Sequence, residues 1–259
     1  MDMGSNAASA VHGFRRLRFR GLTSVVVLAI AAVSAAACSA DTGGGSSDLS
    51  HLDTSATIQG LSSAQLHLVL TSANVTMRSG ALGDDLFRAH VTYSSGQKPD
   101  ISLDRSSGTV RVAQPPHTFN LVPQDDRGSI ELTVTNRLPW TVDVTGGNFN
   151  TSLDLKGGSL SGVTIKGGNM RLDFSLPSPG GAVPLSVQGG SMTVVIQLPA
   201  ATAAGVMVKG GQSSVQIDGQ QNAINGGTLQ MATQGYDRAS NRYDLTFSGG
   251  STKVSVSRG

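Results

Sequence analysis

The chain has 259 residues, with 33 glycines, 9 prolines, one cysteine, 4% aromatic residues and a formal net charge of +2. One cysteine excludes an intramolecular disulfide framework, and the scarcity of aromatics leaves little for carbohydrate-stacking platforms. Four basic residues but only one acid precede position 38, so the remainder carries 15 basic and 16 acidic residues, and its balance near −1 gives no electrostatic footprint for nucleic acid.

At the N-terminus, Arg15, Arg16, Arg18 and Arg20 lead into Gly21 to Ala37, 17 residues without a charge. A basic stretch followed by an apolar one is the pattern of an export signal. Seventeen residues fall short of the roughly 20 that span a bilayer as a helix. Cys38 follows directly on Ala35-Ala36-Ala37. This run resembles a bacterial lipobox, although Ala35 stands where leucine is usual, and Ala-x-Ala would equally suit an ordinary signal peptidase. The expectation is a signal peptide over 1–37, cleavage between Ala37 and Cys38, a palmitate-type lipid on Cys38, and a Ser/Gly/Asp-rich linker within 38–59. It implies a membrane partner through Cys38 and a place on the extracytoplasmic face of the cell membrane.

From 60 to 137 the chain reads as an N-terminal β section. Leu66, Leu68 and Leu70 alternate with His67 and Val69; Ile101 with Leu103, Val110 with Val112, and Ile130 with Leu132 and Val134 mark further strands. Turn-rich Ser94-Ser95-Gly96 and Asp104 to Gly108 separate them. Such a section shares or caps the core of the repeats on its C-terminal side, since the end of a repeat stack otherwise exposes an apolar face and an open edge.

From 138 to 259 a doubled glycine recurs: Gly146-Gly147, Gly167-Gly168, Gly189-Gly190, Gly210-Gly211 and Gly249-Gly250, at spacings of 21, 22, 21 and 39 residues. Two and four residues before the pairs stand Val144 and Val142, Ile165 and Val163, Val187 and Leu185, Val208 and Val206, and Phe247 and Leu245. Past them come Leu172 and Phe174, Val194 and Ile196, Val215 and Ile217, and Val254 and Val256, with Thr151 and Leu153 a poorer match in the first unit. This is the period-2 signature of strands with one buried face. Two readings of the glycine pair stand open. Each unit is a coil of a right-handed parallel β-solenoid, with glycines at a corner where stacked backbones approach; or each pair is a hairpin turn in an antiparallel meander or β-sandwich. Recurring columns, and Leu176-Pro177 and Leu198-Pro199 closing two successive units alike, favour coils. Between Asp218 and Ser240, around Gly226-Gly227 and Tyr236, the pattern loosens into an irregular coil or insertion.

Catalytic constellations are missing from the pattern. With Cys38 committed to an anchor, no thiol remains as nucleophile or metal ligand. His51, His67, His90 and His117 lack metal spacing, and the glycine units lack the third glycine and aspartate of calcium-binding repeats, so neither metal nor cofactor is expected. Asp154, Asp173 and Asp218 are the carboxylates a polysaccharide-cleaving alternative would need in one cleft. Lys166 and Lys209 share a column that Thr145, Gln188 and Ser248 otherwise fill, which reads as a solvated face. Trp140 is expected to pack at the start of the ladder, and a small apolar or lipid ligand finds no room among the aliphatic columns.

Leu138-Pro139-Trp140 running into Val142-Asp143-Val144 and Gly146-Gly147, then Leu153-Asp154-Leu155, the unit Gly189 to Pro199, and Arg242-Tyr243-Asp244-Leu245 before Gly249-Gly250 resemble the toast-rack or putative-adhesin β-solenoid proteins. They are similar also to the C-terminal domain of LiaF-type cell-wall-active-antibiotic response proteins, though this chain lacks that type's several transmembrane helices. The resemblance covers roughly residues 60 to 259. It implies a non-catalytic β-solenoid at a bacterial envelope, with an adhesin-like or stress-related role and an envelope protein or polysaccharide as partner.

Overall fold

A computed structural model describes residues 49–94, 97–115 and 128–259, all within one compact unit, Ala37–Gly259. The signal segment, Ala37, Cys38, His117 and the turn residues Ser95 and Gly96 lie outside the described residues. The fold is all-β, with a single short 3-10 helix, Tyr236–Arg238, among the described residues. The strands are β1 (Leu49–Thr57), β2 (Ala64–Gly80), β3 (Asp85–Ser94), β4 (Asp100–Asp104), β5 (Thr109–Ala113), β6 (Ser129–Thr135), β7 (Pro139–Asp154), β8 (Ser159–Lys166), β9 (Asn169–Ser175), β10 (Ala182–Leu198), β11 (Ala203–Ile217), β12 (Gln220–Ala232) and β13 (Arg242–Arg258). They form one mixed sheet in the order β1-β3-β6-β2-β7-β8-β10-β13-β11-β12, with β9 bridging β7 and β10, and β4 and β5 pairing beside β2.

Pairing is parallel from β2 through β7, β8, β9, β10 and β13 to β11, and antiparallel for β1–β3, β3–β6, β4–β5 and β11–β12. Along the parallel part equivalent slots meet: Leu185 pairs with Val163 and with Leu245, and Leu245 with Val206. Stacked aliphatic slots of this kind make one continuous core, in which Leu68, Val142, Ile165, Leu172, Leu185, Ile196, Val208, Val215 and Phe247 are fully buried. The β section before residue 138 contributes Leu66, Leu68, Met77, Ile130 and Leu132 to that same core. Thr151, the poorer match, is buried all the same, and its hydroxyl makes no hydrogen bond.

The glycine pairs are not turns. Gly146-Gly147, Gly189-Gly190, Gly210-Gly211 and Gly249-Gly250 lie inside β7, β10, β11 and β13, and Gly167-Gly168 joins β8 to β9, so the hairpin-turn reading is wrong for them. In β10 burial falls on Val183, Leu185 and Val187 before the glycines and on Met192, Val194, Ile196 and Leu198 after them. The change of parity keeps the same side inward through a corner. Glycine is required because the neighbouring backbone lies where a side chain would begin: a Cβ on Gly249 would stand 2.5 Å from the Gly189 carbonyl oxygen, and one on Gly146 2.8 Å from that of Leu70. Gly210, at φ +151°, is pressed onto the Gly249 carbonyl in the same way.

Three expectations need revision. The fifth unit does not follow the fourth: β13 lies between β10 and β11, pairing Gly249 with both Gly189 and Gly210. Of the stretch between Asp218 and Ser240, expected as an irregular coil or insertion, Gln220–Ala232 is β12, a strand folded back on β11 through Asp218-Gly219, both at positive φ. Residues 49–57, within the expected linker, form β1, because Leu52 and Ala56 have a half-buried side to pack on the core while their backbone pairs with β3.

Candidate functional site

Of the carboxylates an enzyme would need, Asp154 and Asp173 lie diagonally on neighbouring strands, Asp154 opposite Ser175 and Asp173 opposite Ser152, while Asp218 stands apart from both. Asp154 ends β7, Asp173 lies on β9 beside Arg171 (3.7 Å), and Asp218 follows β11, held at 2.5 Å by Arg258. Three ladder steps separate the strand of Asp173 from that of Asp218, about 14 Å at the usual strand spacing. His51 and His90 stack with ring centroids 5.6 Å apart, and His90 Nδ1 lies 2.7 Å from Asp53 Oδ1, on the exposed face of β1 and β3. Among the described residues no three His, Cys, Asp or Glu side chains are grouped to hold a metal ion. Trp140 is 1% exposed and donates its indole N–H to the Thr135 carbonyl at 2.9 Å, so it packs within the core.

Concave surface occurs elsewhere among the described residues, and two such places bear on function. Outside the first corners, Ser72, Ala73, Asn74, Asn148, Phe149, Asn150 and Asn169 line a groove of about 430 Å³. Its amides lie across strand neighbours: Asn150 Nδ2 donates to Asn74 Oδ1 at 3.0 Å, and the backbone N–H of Asn169 to Asn148 Oδ1 at 2.9 Å. The residue after each glycine pair points outward here because parity has just changed, and it is Asn148, Asn169, Ser191, Gln212 or Ser251, all exposed. The corner therefore presents an uncharged row of amides and hydroxyls, one per ladder step.

The second hollow, about 350 Å³, is lined chiefly by Gly205, Met207, Gln230, Met231, Tyr236 and Asp244. Gly205 lets the Tyr236 ring lie against β11, since a Cβ there would meet Cζ at 2.5 Å. Tyr236 donates its hydroxyl to Asp244 Oδ1 at 2.6 Å, Arg242 Nε donates to the same oxygen at 3.1 Å, and the Arg242 guanidinium stands 5.2 Å from the tyrosine ring centre. The hydrogen bond to Asp244, then burial, raises the Tyr236 hydroxyl above the ordinary phenol value, and Asp244 likewise raises Arg242. Beside it, Tyr243 is fully buried and donates to the Pro177 carbonyl at 2.8 Å; burial pushes its hydroxyl well above the usual phenol range.

Sequence reasoning singled out the glycine pairs but neither hollow. The polar column after each glycine pair was a legible signal for the groove. The Tyr236 pocket had none, because it depends on β12 returning along β11.

Residues 45–197 match the family model described as the N-terminal domain of toast_rack, DUF2154, which is more than half of the chain. The chain belongs to the toast-rack family. Its fold is similar to that of a putative cell adhesion protein from Clostridium sporogenes, at 14% identity and a TM-score of 0.69, covering 82% of this chain and 100% of that one. A putative adhesin from Bacteroides fragilis is 9% identical with a TM-score of 0.36 over 82% and 98% of the two chains. A putative lipid binding protein from Parabacteroides distasonis is 8% identical with a TM-score of 0.25 over 83% and 98%. Among curated proteins none matches. Among the described residues of this toast-rack chain, no helix is long and apolar enough to cross a membrane.

Proposed function

We propose that this toast-rack protein is an exported lipoprotein, held at the cell membrane by a lipid on Cys38, whose parallel strands wind as a right-handed β-solenoid that presents a polar surface to a partner in the envelope. It acts by binding, without catalysis, in an adhesin-like or envelope-stress role. The observation that carries the binding half is the amide-lined corner groove around Asn74, Asn148, Asn150 and Asn169. Its exposed amides offer donors and acceptors without charge, at the roughly 4.8 Å repeat of the ladder, which suits a hydroxyl-rich polymer lying along the corner. Carboxylates on separate strands, already engaged by Arg171 and Arg258 in two cases, support the non-catalytic reading. The resemblance of Ala35-Ala36-Ala37-Cys38 to a lipobox supports the anchor.

The anchor is tested by fractionating cells that express the wild type or Cys38→Ala. The variant is expected to leave the membrane fraction, and equal retention of both contradicts lipid attachment. Binding is tested by co-sedimenting the protein with purified cell-wall polysaccharide. Asn148→Ala combined with Asn74→Ala lowers retention, whereas shortening of the polysaccharide by the wild type over time overturns the non-catalytic role.

A further inference from the structure

We propose that two copies of this chain associate through β12, strand against antiparallel strand, about a two-fold axis passing by Gly226-Gly227. β12 ends the strand order and is paired on one side only, with β11, from Gly205↔Ala232 to Ile217↔Gln220. In an antiparallel ladder alternate residues direct N–H and C=O to opposite sides, so half of the backbone groups of a 13-residue strand face outward with no strand beyond them among the described residues. Sheet edges are ordinarily protected by charges, proline, bulges or short length. The opposite edge, β1, has such devices: Asp53 sits there beside His90, and the register shifts between Ala56 and Thr57. β12 has none. From Gln220 to Ala232 it holds no Lys, Arg, Asp, Glu or Pro, and its side chains are exposed apart from half-buried Ile224, Leu229 and Met231.

The shape of the edge identifies the occupant. Gly226 and Gly227, at φ +92° and +96°, carry β12 past the Gly210 corner, and a strand that follows the whole edge must bend at that same point. The bend falls near the middle of β12, with six residues before the glycines and five after. An antiparallel second copy, with the axis at Gly226, therefore brings its own Gly226 to the bend. It sets amides such as Asn222 and Gln230 near one another, Ala223 near Leu229, and no charge against a like charge. β1 of another copy is a poorer fit: its nine residues, LSHLDTSAT, fall short of the 13 of β12, and Asp53 places a charge within them. The two-fold contact closes as a dimer, where a β12–β1 contact would grow into filaments.

The test uses the full chain in detergent, followed by sedimentation at rising protein concentration. The wild type is expected to pass from monomer to dimer. Asn222→Lys with Gln230→Lys, both on exposed side chains, weakens the dimer by about tenfold or more while leaving circular dichroism and melting unchanged. Because residues 1–48 are the same in both proteins, association through that segment would persist in the variant. Asn222→Glu with Gln230→Glu is likewise monomeric alone, and mixing the two variants restores a dimer. Amide exchange over 220–232 in the wild type, slowing as concentration rises, gives the same reading without mutation. A wild type that stays monomeric at about 100 µM, a dimer that survives the lysine pair, or a ladder of growing oligomers overturns the proposal.

Discussion

Gly249→Ala probes the corner where three strands meet. The added Cβ would stand 2.5 Å from the Gly189 carbonyl oxygen and 2.7 Å from Met192 Cε. The methionine end can swing away, but the carbonyl belongs to a strand paired along its whole length, so the backbone must part locally. Overpacking of this kind costs about 1–3 kcal/mol, and a rigid carbonyl puts this site near 2–3. Replacing glycine also restricts the unfolded chain, which returns about 0.4–1 kcal/mol. The net loss is about 1–2.5 kcal/mol, or a fall in Tm of roughly 2–10 °C for a chain of this size. Gly180→Ala is the control. No atom lies within 4 Å of a Cβ there and its φ is not in the left-handed region, so only the unfolded-state effect remains and stability holds or rises slightly. Thermal and urea denaturation of both variants measures the difference. Equal melting of Gly249→Ala and wild type would mean the corner backbones do not approach as described.

Thr151→Val removes a buried hydroxyl that has no hydrogen-bond partner and keeps the side-chain shape, so urea unfolding should show a gain of about 1–2 kcal/mol. Trp140→Phe strips the Thr135 carbonyl of its buried donor and should cost about 1–3 kcal/mol in the same assay; in the wild type, this single tryptophan should resist acrylamide quenching. Gly205→Ala drives the Tyr236 ring off β11, and amide exchange should quicken over 233–241 while the core strands are unaffected. Asp104 accepts hydrogen bonds from the Ser106 and Ser107 hydroxyls and the Ser106 N–H, which lower its pKa from 3.8 to about 2. Because the folded value lies below the unfolded one, its contribution is complete above about pH 4 and is lost as pH falls through about 2. An NMR titration should place the Asp104 midpoint near 2 and move it upward in Ser106→Ala.

Much of the interior was legible because a strand buries alternate residues whatever its neighbours are. Val142, Val144, Leu185, Val187, Val254 and Val256 declared themselves by parity, whereas parity left both the corner and the hairpin readings of the glycine pairs open. The corner in β2 was not legible. There burial passes from Leu70 to Ala73 across Thr71-Ser72, with no glycine. Its outer neighbours explain why: β5 pairs with β2 only as far as Val69 and β6 begins at Asn74, so no strand lies against the outer side of that corner and side chains fit there. The order of strands was equally hidden. Units that place the same aliphatic slots inward can stack on any other unit, so the columns of β13 fit beside β10 as well as beyond β11. The hollow at Tyr236 follows from that order and from β12, whose outward residues carry no periodic apolar signal.

Strand order, on which the corner, the groove and the free β12 edge all depend, is tested by paired cysteines in a Cys38→Ala background. Thr193 is the register partner of Lys253, and Lys253 of Ser214. Thr193→Cys with Lys253→Cys brings two residues to neighbouring parallel strands, within reach of a disulfide, whereas Thr193→Cys with Ser214→Cys leaves two ladder steps, about 9.6 Å. Mild oxidation should cross-link the first pair and spare the second. A disulfide between positions 193 and 214, with none between 193 and 253, would return the units to chain order and contradict the fold described.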